Sequence, residues 1–228
     1  MNRPALGRLS ATNALIIINV LVYLWLCIAH IGHYSFITGY LDDETLVSTG
    51  ALIGALALQG EWWRIISSGF LHSGIAHIGL NMFALYQVGT FLEIILGARR
   101  MLTIYFVSLI GSGLAVVWFS PDQATVGASG AIFGLFGALV AVGIRLGQRG
   151  RGLIMQAVPI ILLNLAFTFA VPIISRAGHV GGLITGFLIA LLIVAMAPRT
   201  RDEGEPVATV AGTEEEDAHD PEVMHGEP

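Results

Sequence analysis

The chain has 228 residues, of which 55% are hydrophobic and only 12% charged, and its mean hydropathy is +0.77. Soluble domains carry about twice this share of charged residues, so the composition excludes a water-soluble domain and predicts a lipid-embedded one. The net charge of −5 conceals an uneven distribution, because residues 199–228 hold ten acids and two arginines. The single cysteine, Cys27, excludes a disulfide framework and a cysteine metal cluster.

Apolar runs of about 20 residues predict six transmembrane helices. They cover residues 12–31, 75–96, 101–119, 129–144, 153–171 and 179–197. We therefore expect an all-α, six-helix membrane domain over residues 12–198, with a cytoplasmic segment before it (residues 1–11) and an acidic disordered tail after it (residues 199–228). Residues 32–74 form the longest loop, and their aromatic side chains suit a segment that lies on or dips into the membrane surface.

The arginines predict the orientation, because cytoplasmic loops are enriched in basic residues. In a six-helix arrangement nine arginines lie on one side of the membrane, and only Arg64 and Arg176 lie on the other. Both termini are therefore expected in the cytoplasm, with the long first loop outside. The polar residues of the helices then lie toward the outer face, and they are His72, His77, Asn81, Ser129 and His179.

Ser129 stands in a turn of small residues that leads into the fourth helix, with Gly127 before it and Gly130 after it. Free amide groups at a helix start, together with the positive end of the helix dipole, favour a developing oxyanion. A serine hydroxyl is a poor nucleophile until a base within hydrogen-bond reach activates it. The pattern therefore predicts a nucleophile at Ser129 and requires a partner base.

His179 is the candidate base. Gly182 and Gly186 follow it on the same helical face, and small faces permit close helix packing in lipid. Such packing would bring a nitrogen of His179 to about 3 Å from the serine hydroxyl. His77 and Asn81 are one turn apart on the second helix, and both can donate hydrogen bonds to an oxyanion. Since no H-E-x-x-H pattern is present, we expect no metal, and the chemistry requires no organic cofactor.

The ordered set of motifs resembles the rhomboid intramembrane serine proteases. The matching strings are Glu61-Trp62-Trp63-Arg64, His72-x4-His77-x3-Asn81, Gly127-Ala128-Ser129-Gly130 and His179-x2-Gly182-x3-Gly186. The resemblance implies a Ser129–His179 dyad, with His77, Asn81 and the Ser129 amide as oxyanion donors. It implies that Trp63 and Arg64 belong to a membrane-embedded first loop, and that Glu93 and Gly97 are structural. It also implies that the fifth helix and residues 172–178 act as a movable gate and cap.

Two features near the expected dyad bear on the orientation of its imidazole. Phe133 lies one turn after Ser129, where rhomboids often carry tyrosine, and a phenylalanine can still pack under the ring of His179. The fourth to sixth helices contain no acidic residue, so we expect a dyad whose imidazole is oriented by packing.

The expected activity is hydrolysis of peptide bonds in transmembrane segments near the outer face of a prokaryotic plasma (inner) membrane. The expected partners are transmembrane substrates and the lipid bilayer, without nucleic acid, and the sequence leaves the oligomeric state open. One alternative is a catalytically inactive relative that binds transmembrane clients, against which the presence of both Ser129 and His179 argues. Another is a small transporter with a histidine proton relay, against which the clustering of polar groups near one face argues.

Overall fold

The computed structural model describes residues 9–35 and 39–196, which are mainly helical. In chain order they form α1 (Ala11–Ala29), the strands β1 (Tyr34–Ser35) and β2 (Tyr40–Leu41), the short helices α2 (Asp43–Thr49), α3 (Gly54–Leu58) and α4 (Arg64–Ser67), and the long helices α5 (Ile75–Leu96), α6 (Ala98–Phe119), α7 (Ser129–Arg145), α8 (Arg151–Ala170) and α9 (Arg176–Met196). The predicted acidic tail and most of the predicted N-terminal segment lie outside the described residues.

The six predicted helices correspond to α1 and α5–α9, and their ends differ from the prediction by three residues or fewer. The predicted all-α fold is therefore confirmed. Five of these helices are long and apolar enough to cross a membrane, whereas α7 has only 17 residues. At about 1.5 Å per residue α7 is about 25 Å long, which is less than a hydrocarbon core of about 30 Å.

The short helix α7 is the centre of the fold. It packs against α5, α6, α8 and α9, and most of its residues are buried. The surrounding helices instead expose large apolar side chains, such as Leu80 and Ile94 on α5 and Leu163 on α8. In water such surfaces would be unfavourable, but against lipid chains they need no cover. The largely buried helix α7 is thus surrounded by helices that expose apolar side chains.

Glycines bring α7 and α9 into backbone contact. A Cβ atom at Gly182 would collide with the carbonyl oxygen of Gly130, and one at Gly186 would collide with that of Gly134. On the other helix, a Cβ atom at Gly137 would collide with the carbonyl oxygen of Leu183. Side chains at these positions would force the helices apart, so the glycines set the interhelical distance on which the polar groups at the helix starts depend.

Replacing Gly182 with alanine is expected to destabilise the protein by about 1–3 kcal/mol, because the added methyl group meets rigid backbone rather than a movable side chain. The unfolding midpoint of detergent-purified protein, followed by tryptophan fluorescence, measures this. Gly79→Ala is the matched control, since a Cβ atom at this α5 position meets nothing within 4 Å. Equal unfolding midpoints for the two variants would contradict the interpretation.

Glu93, near the end of α5, holds the start of α1. Its carboxylate accepts hydrogen bonds from the amides of Ala11 and Thr12, at 2.8 and 2.9 Å, and from the Thr12 hydroxyl at 2.7 Å. A carboxylate at a helix N-terminus satisfies free amide groups and interacts favourably with the helix dipole. These contacts give a physical basis for the structural role of Glu93 that the resemblance implies.

The long first loop is folded. Its two strands pair antiparallel, with Tyr34 opposite Leu41, and α2, α3 and α4 follow them. The buried guanidinium of Arg64 donates to the carbonyl oxygens of Val47 and Ala51, at 2.7 and 2.9 Å. Arg64 on α4 is therefore joined to Val47 on α2 and to Ala51 in the segment after α2. These bonds make the first loop a folded unit that can hold neighbouring turns in place.

Candidate active site

Ser129 is the first residue of α7, and the turn before it needs a glycine. Gly127 has φ +119°, and a Cβ atom there would stand 2.7 Å from Nε2 of His77 and 3.8 Å from the Ser129 hydroxyl oxygen. Both the backbone conformation and the lack of space therefore require glycine. Among the described residues no side chain caps α7, so its first amide groups face the space beside Ser129.

The turn that carries Ser129 is held by the first loop. Leu52 and Thr125 exchange two backbone hydrogen bonds, of 3.0 and 2.8 Å. The amide of Gly127 donates to the carbonyl oxygen of Ser68 at 2.9 Å. Because these bonds hold the backbone four and two residues before Ser129, the first loop helps to set the position of the serine.

His179 lies one turn inside α9. The helix begins at Arg176, three residues before the predicted start. The hydroxyl of Ser175 accepts from the amide of Gly178 at 3.1 Å, and the Ser175 carbonyl oxygen accepts from the amide of His179 at 3.1 Å. The prediction that His179 opens the helix is therefore wrong, because Ser175 is a favourable N-cap and starts the helix earlier.

The side chains of Ser129 and His179 are in direct contact. Their Oγ and Nε2 atoms are 2.7 Å apart, which is a hydrogen-bond distance. The imidazole stacks on the ring of Phe133, with centroids 4.2 Å apart and planes inclined by 20°. Its other nitrogen, Nδ1, lies 2.8 Å from the hydroxyl oxygen of Thr168 on α8. Phe133 thus packs under the imidazole as expected, but the expectation that packing orients the ring is incomplete, because Thr168 also contacts it.

His77 and Asn81 lie on α5, and the ring of His77 borders the turn that precedes Ser129. Nε2 of His77 stands beside Gly127, as described above, while its Nδ1 is 3.1 Å from the hydroxyl oxygen of Ser73. The side-chain amide of Asn81 donates to the carbonyl oxygen of His77 at 2.9 Å. An amide nitrogen carries two hydrogens, so Asn81 retains one for a ligand.

The remaining candidate residues lie around this site rather than in it. The ring of His72 is fully buried against that of His77, with centroids 5.0 Å apart, and its Nε2 lies 3.5 Å from the amide of Ala128. Trp63 is half exposed, and the guanidinium of Arg64 lies over its ring at 4.7 Å. Over residues 9–35 and 39–196, no group of three histidines, cysteines or acids is arranged to hold a metal ion.

Three hydroxyl groups beside the histidines were not predicted. Ser73 contacts the ring of His77, and Thr168 contacts the ring of His179. Ser175 accepts hydrogen bonds from backbone amides at the start of the helix that carries His179. Ser175 could have been found, because serine before an apolar run is an N-cap signal. Thr168 could not, since its contact depends on how α8 packs against α9.

Comparison with known proteins identifies the family. The family model described as "Rhomboid domain" matches residues 59–196, which is more than half of the chain. The chain belongs to the rhomboid family. The match covers every residue of the candidate site, and with its apolar helices this rhomboid is an integral, multi-pass membrane protein.

Similar rhomboids occur in bacteria and plants. Rhomboid protease GluP of Bacillus subtilis (strain 168) is 44% identical over 155 residues, which cover 67% of this chain and 30% of GluP. RHOMBOID-like protein 5 of Arabidopsis thaliana is 34% identical, over 66% of this chain and 50% of that protein. Rhomboid protease AarA of Providencia stuartii is 27% identical, over 92% of this chain and 82% of AarA. The chain thus spans half or less of the length of the first two relatives.

Proposed function

We propose that this rhomboid is a serine endopeptidase that hydrolyses peptide bonds in transmembrane segments of other membrane proteins. The observation that carries the proposal is the 2.7 Å contact between Oγ of Ser129 and Nε2 of His179. At this distance an imidazole can accept the hydroxyl proton as the oxygen attacks. Two of the relatives are named rhomboid proteases, which supports the same activity.

The reaction proceeds through an acyl-enzyme. Oγ of Ser129 bonds to the carbonyl carbon of the substrate while its proton moves to Nε2 of His179. The tetrahedral intermediate then collapses, the C–N bond breaks, and the imidazolium gives the proton to the leaving amine. Water attacks the ester and gives a proton to His179, which returns it to the serine oxygen as the acid product leaves.

Three donors are proposed to hold the oxyanion. They are Nε2–H of His77, the free amide hydrogen of Asn81 and the backbone N–H of Ser129. The absence of a side-chain cap on α7 and the closeness of the His77 ring to Gly127 support this assignment. Each well-aimed donor lowers the barrier by about 3 kcal/mol in comparable sites.

A transmembrane substrate is proposed to reach the site sideways, past α8. This helix is the least buried of the five that are long enough to span, so its movement would break few contacts. The hydrogen bond between Thr168 of α8 and His179 must then form again before the reaction begins. The substrate must unwind locally to expose a peptide bond, and segments with glycine or proline lose less helix stability in doing so.

The site is proposed to lie below the outer surface of a prokaryotic plasma (inner) membrane, with both termini in the cytoplasm. The arginine distribution supports this orientation, and two of the relatives are bacterial. The length of α7 supports the depth, since a helix of 17 residues that ends near the inner boundary begins below the outer one.

A fluorophosphonate probe tests the proposed function, because it reacts only with an activated serine. Purified protein is labelled in detergent, and mass spectrometry locates the adduct. The expected result is an adduct on Ser129 in the wild type and none in His179→Ala, together with cleavage of a labelled transmembrane substrate. Absence of both adduct and cleavage in the wild type would instead favour an inactive rhomboid that binds transmembrane clients.

A further inference from the structure

The hydroxyl of Thr168 lies between two polar atoms on different helices. Its oxygen is 2.7 Å from the backbone carbonyl oxygen of Asn164, one turn earlier on α8. It is also 2.8 Å from Nδ1 of His179 on α9. Thr168 is only 1% exposed, so both hydrogen bonds are shielded from solvent. The bond to Asn164 is the usual one for a threonine inside a helix, whereas the contact with a histidine on another helix is specific to this site.

The two contacts fix the direction of the hydrogen bonds. A hydroxyl has one hydrogen, and a carbonyl oxygen can only accept, so the hydrogen of Thr168 points to Asn164. The hydroxyl oxygen must then accept from His179, which places the imidazole hydrogen on Nδ1. A neutral imidazole has a single N–H, and Nε2 is left with a free lone pair that faces the hydroxyl of Ser129.

We propose that Thr168 is a positioning residue that selects the tautomer of His179 in which Nε2 is the base. The inference rests on the proposed function, in which Nε2 takes the proton from Ser129. In serine proteases with a triad, a buried aspartate fulfils this task by accepting from Nδ1–H. The described parts of α6, α7, α8 and α9 contain no acidic residue. In this protein the neutral hydroxyl of Thr168 stands where the aspartate of a triad would accept from Nδ1–H.

Stacking on Phe133 does not make Thr168 redundant. The contact between the rings fixes the plane of the imidazole, but both tautomers present the same face to a phenyl ring. Only a partner at Nδ1 distinguishes them. The Asn164 carbonyl also polarises the Thr168 hydroxyl, which strengthens its oxygen as an acceptor when His179 becomes an imidazolium.

Two substitutions separate this inference from a packing effect. Thr168→Val keeps the branched shape and removes the hydroxyl, whereas Thr168→Ser keeps the hydroxyl and removes a methyl group. We expect kcat to fall about tenfold in Thr168→Val, equivalent to about 1.4 kcal/mol in the barrier, with KM unchanged. Thr168→Ser is expected to retain most of the wild-type kcat.

Thr103→Val is the matched control. Thr103 donates to the backbone carbonyl oxygen of Arg99 at 3.0 Å, so it makes the same kind of bond within its own helix. It is exposed on α6, and within the described part of the chain it has no hydrogen bond to a histidine. Its kcat should equal that of the wild type. Equal losses in Thr168→Val and Thr168→Ser would assign the effect to packing and overturn the inference, as would a wild-type kcat in Thr168→Val.

Nitrogen-15 NMR of histidine-labelled protein reports the tautomer directly and needs no activity. The wild type is expected to carry the His179 hydrogen on Nδ1, and Thr168→Val is expected to shift it toward Nε2. An unchanged tautomer would overturn the inference. Failure of the proposed function is distinguishable, because it appears as a wild-type protein without cleavage or probe labelling whatever the spectrum shows.

Discussion

Replacing Ser129 with alanine is expected to nearly abolish cleavage of a transmembrane substrate. Loss of the nucleophile from a serine protease costs roughly six orders of magnitude in kcat. His179→Ala should lose a similar amount, because the hydroxyl 2.7 Å away then has no base. The double variant should be no worse than either single one, since the two groups act as a unit. Cleavage of a fluorogenic substrate in liposomes measures all three.

Controls for these losses come from the first loop. Ser48 and His33 are exposed there and lie outside the proposed catalytic machinery, so Ser48→Ala and His33→Ala should cleave at the wild-type rate. Unfolding midpoints should be alike for Ser129→Ala and the wild type, which separates chemistry from folding. A Ser129→Ala protein that cleaves as fast as the wild type would refute the assignment of the nucleophile.

The long helices were predictable because lipid imposes a simple rule. A spanning segment needs about 20 apolar residues, and few other structures use such runs. Helix ends were less predictable, since capping depends on single side chains. Ser175 starts α9 before the apolar run begins, and His179 consequently lies inside the helix rather than at its first residue.

The folded first loop was not predictable in detail. Its helices have four to seven residues, which is too short for a periodic apolar pattern. They are held by long-range bonds, such as those from Arg64 to the carbonyl oxygens of Val47 and Ala51. Such bonds join residues whose proximity only the tertiary structure reveals.

The candidate site likewise has a part that the sequence predicts and a part that it does not. Ser129 and His179 could be paired from the sequence, because the glycine faces of two helices indicate where the helices approach. The hydroxyl of Thr168 could not be assigned, since a threonine in an apolar helix most often bonds only to its own backbone. Its second contact depends on the rotation of α8 about its axis.

Removing the imidazole of His77 is expected to lower kcat about 10²–10³-fold with little change in KM, the effect of losing one oxyanion donor. The substrate carbonyl gains negative charge only in the transition state, so a donor aimed at it stabilises that state alone. Nε2 of His77 stands beside Gly127, and Ser73 lies 3.1 Å from Nδ1, where its hydroxyl can donate and leave Nε2–H for the oxyanion. Steady-state kinetics of His77→Ala with a fluorogenic substrate measure the effect.

Asn81→Ala should show the same selective loss of kcat, and Asn164→Ala is its matched control. Each asparagine donates to the carbonyl oxygen four residues earlier in its helix, at 2.9 Å for Asn81 and 2.8 Å for Asn164. Both substitutions remove one such bond, but only Asn81 follows His77 on the helix that faces the Ser129 turn. If kcat falls equally in the two variants, the loss reflects a weakened helix, and Asn81 is not an oxyanion donor. Asn81 is buried and Asn164 is exposed, so the unfolding midpoint is measured as well. A loss of kcat confined to Asn81→Ala, at an unfolding midpoint like that of the wild type, supports charge stabilisation as its cause.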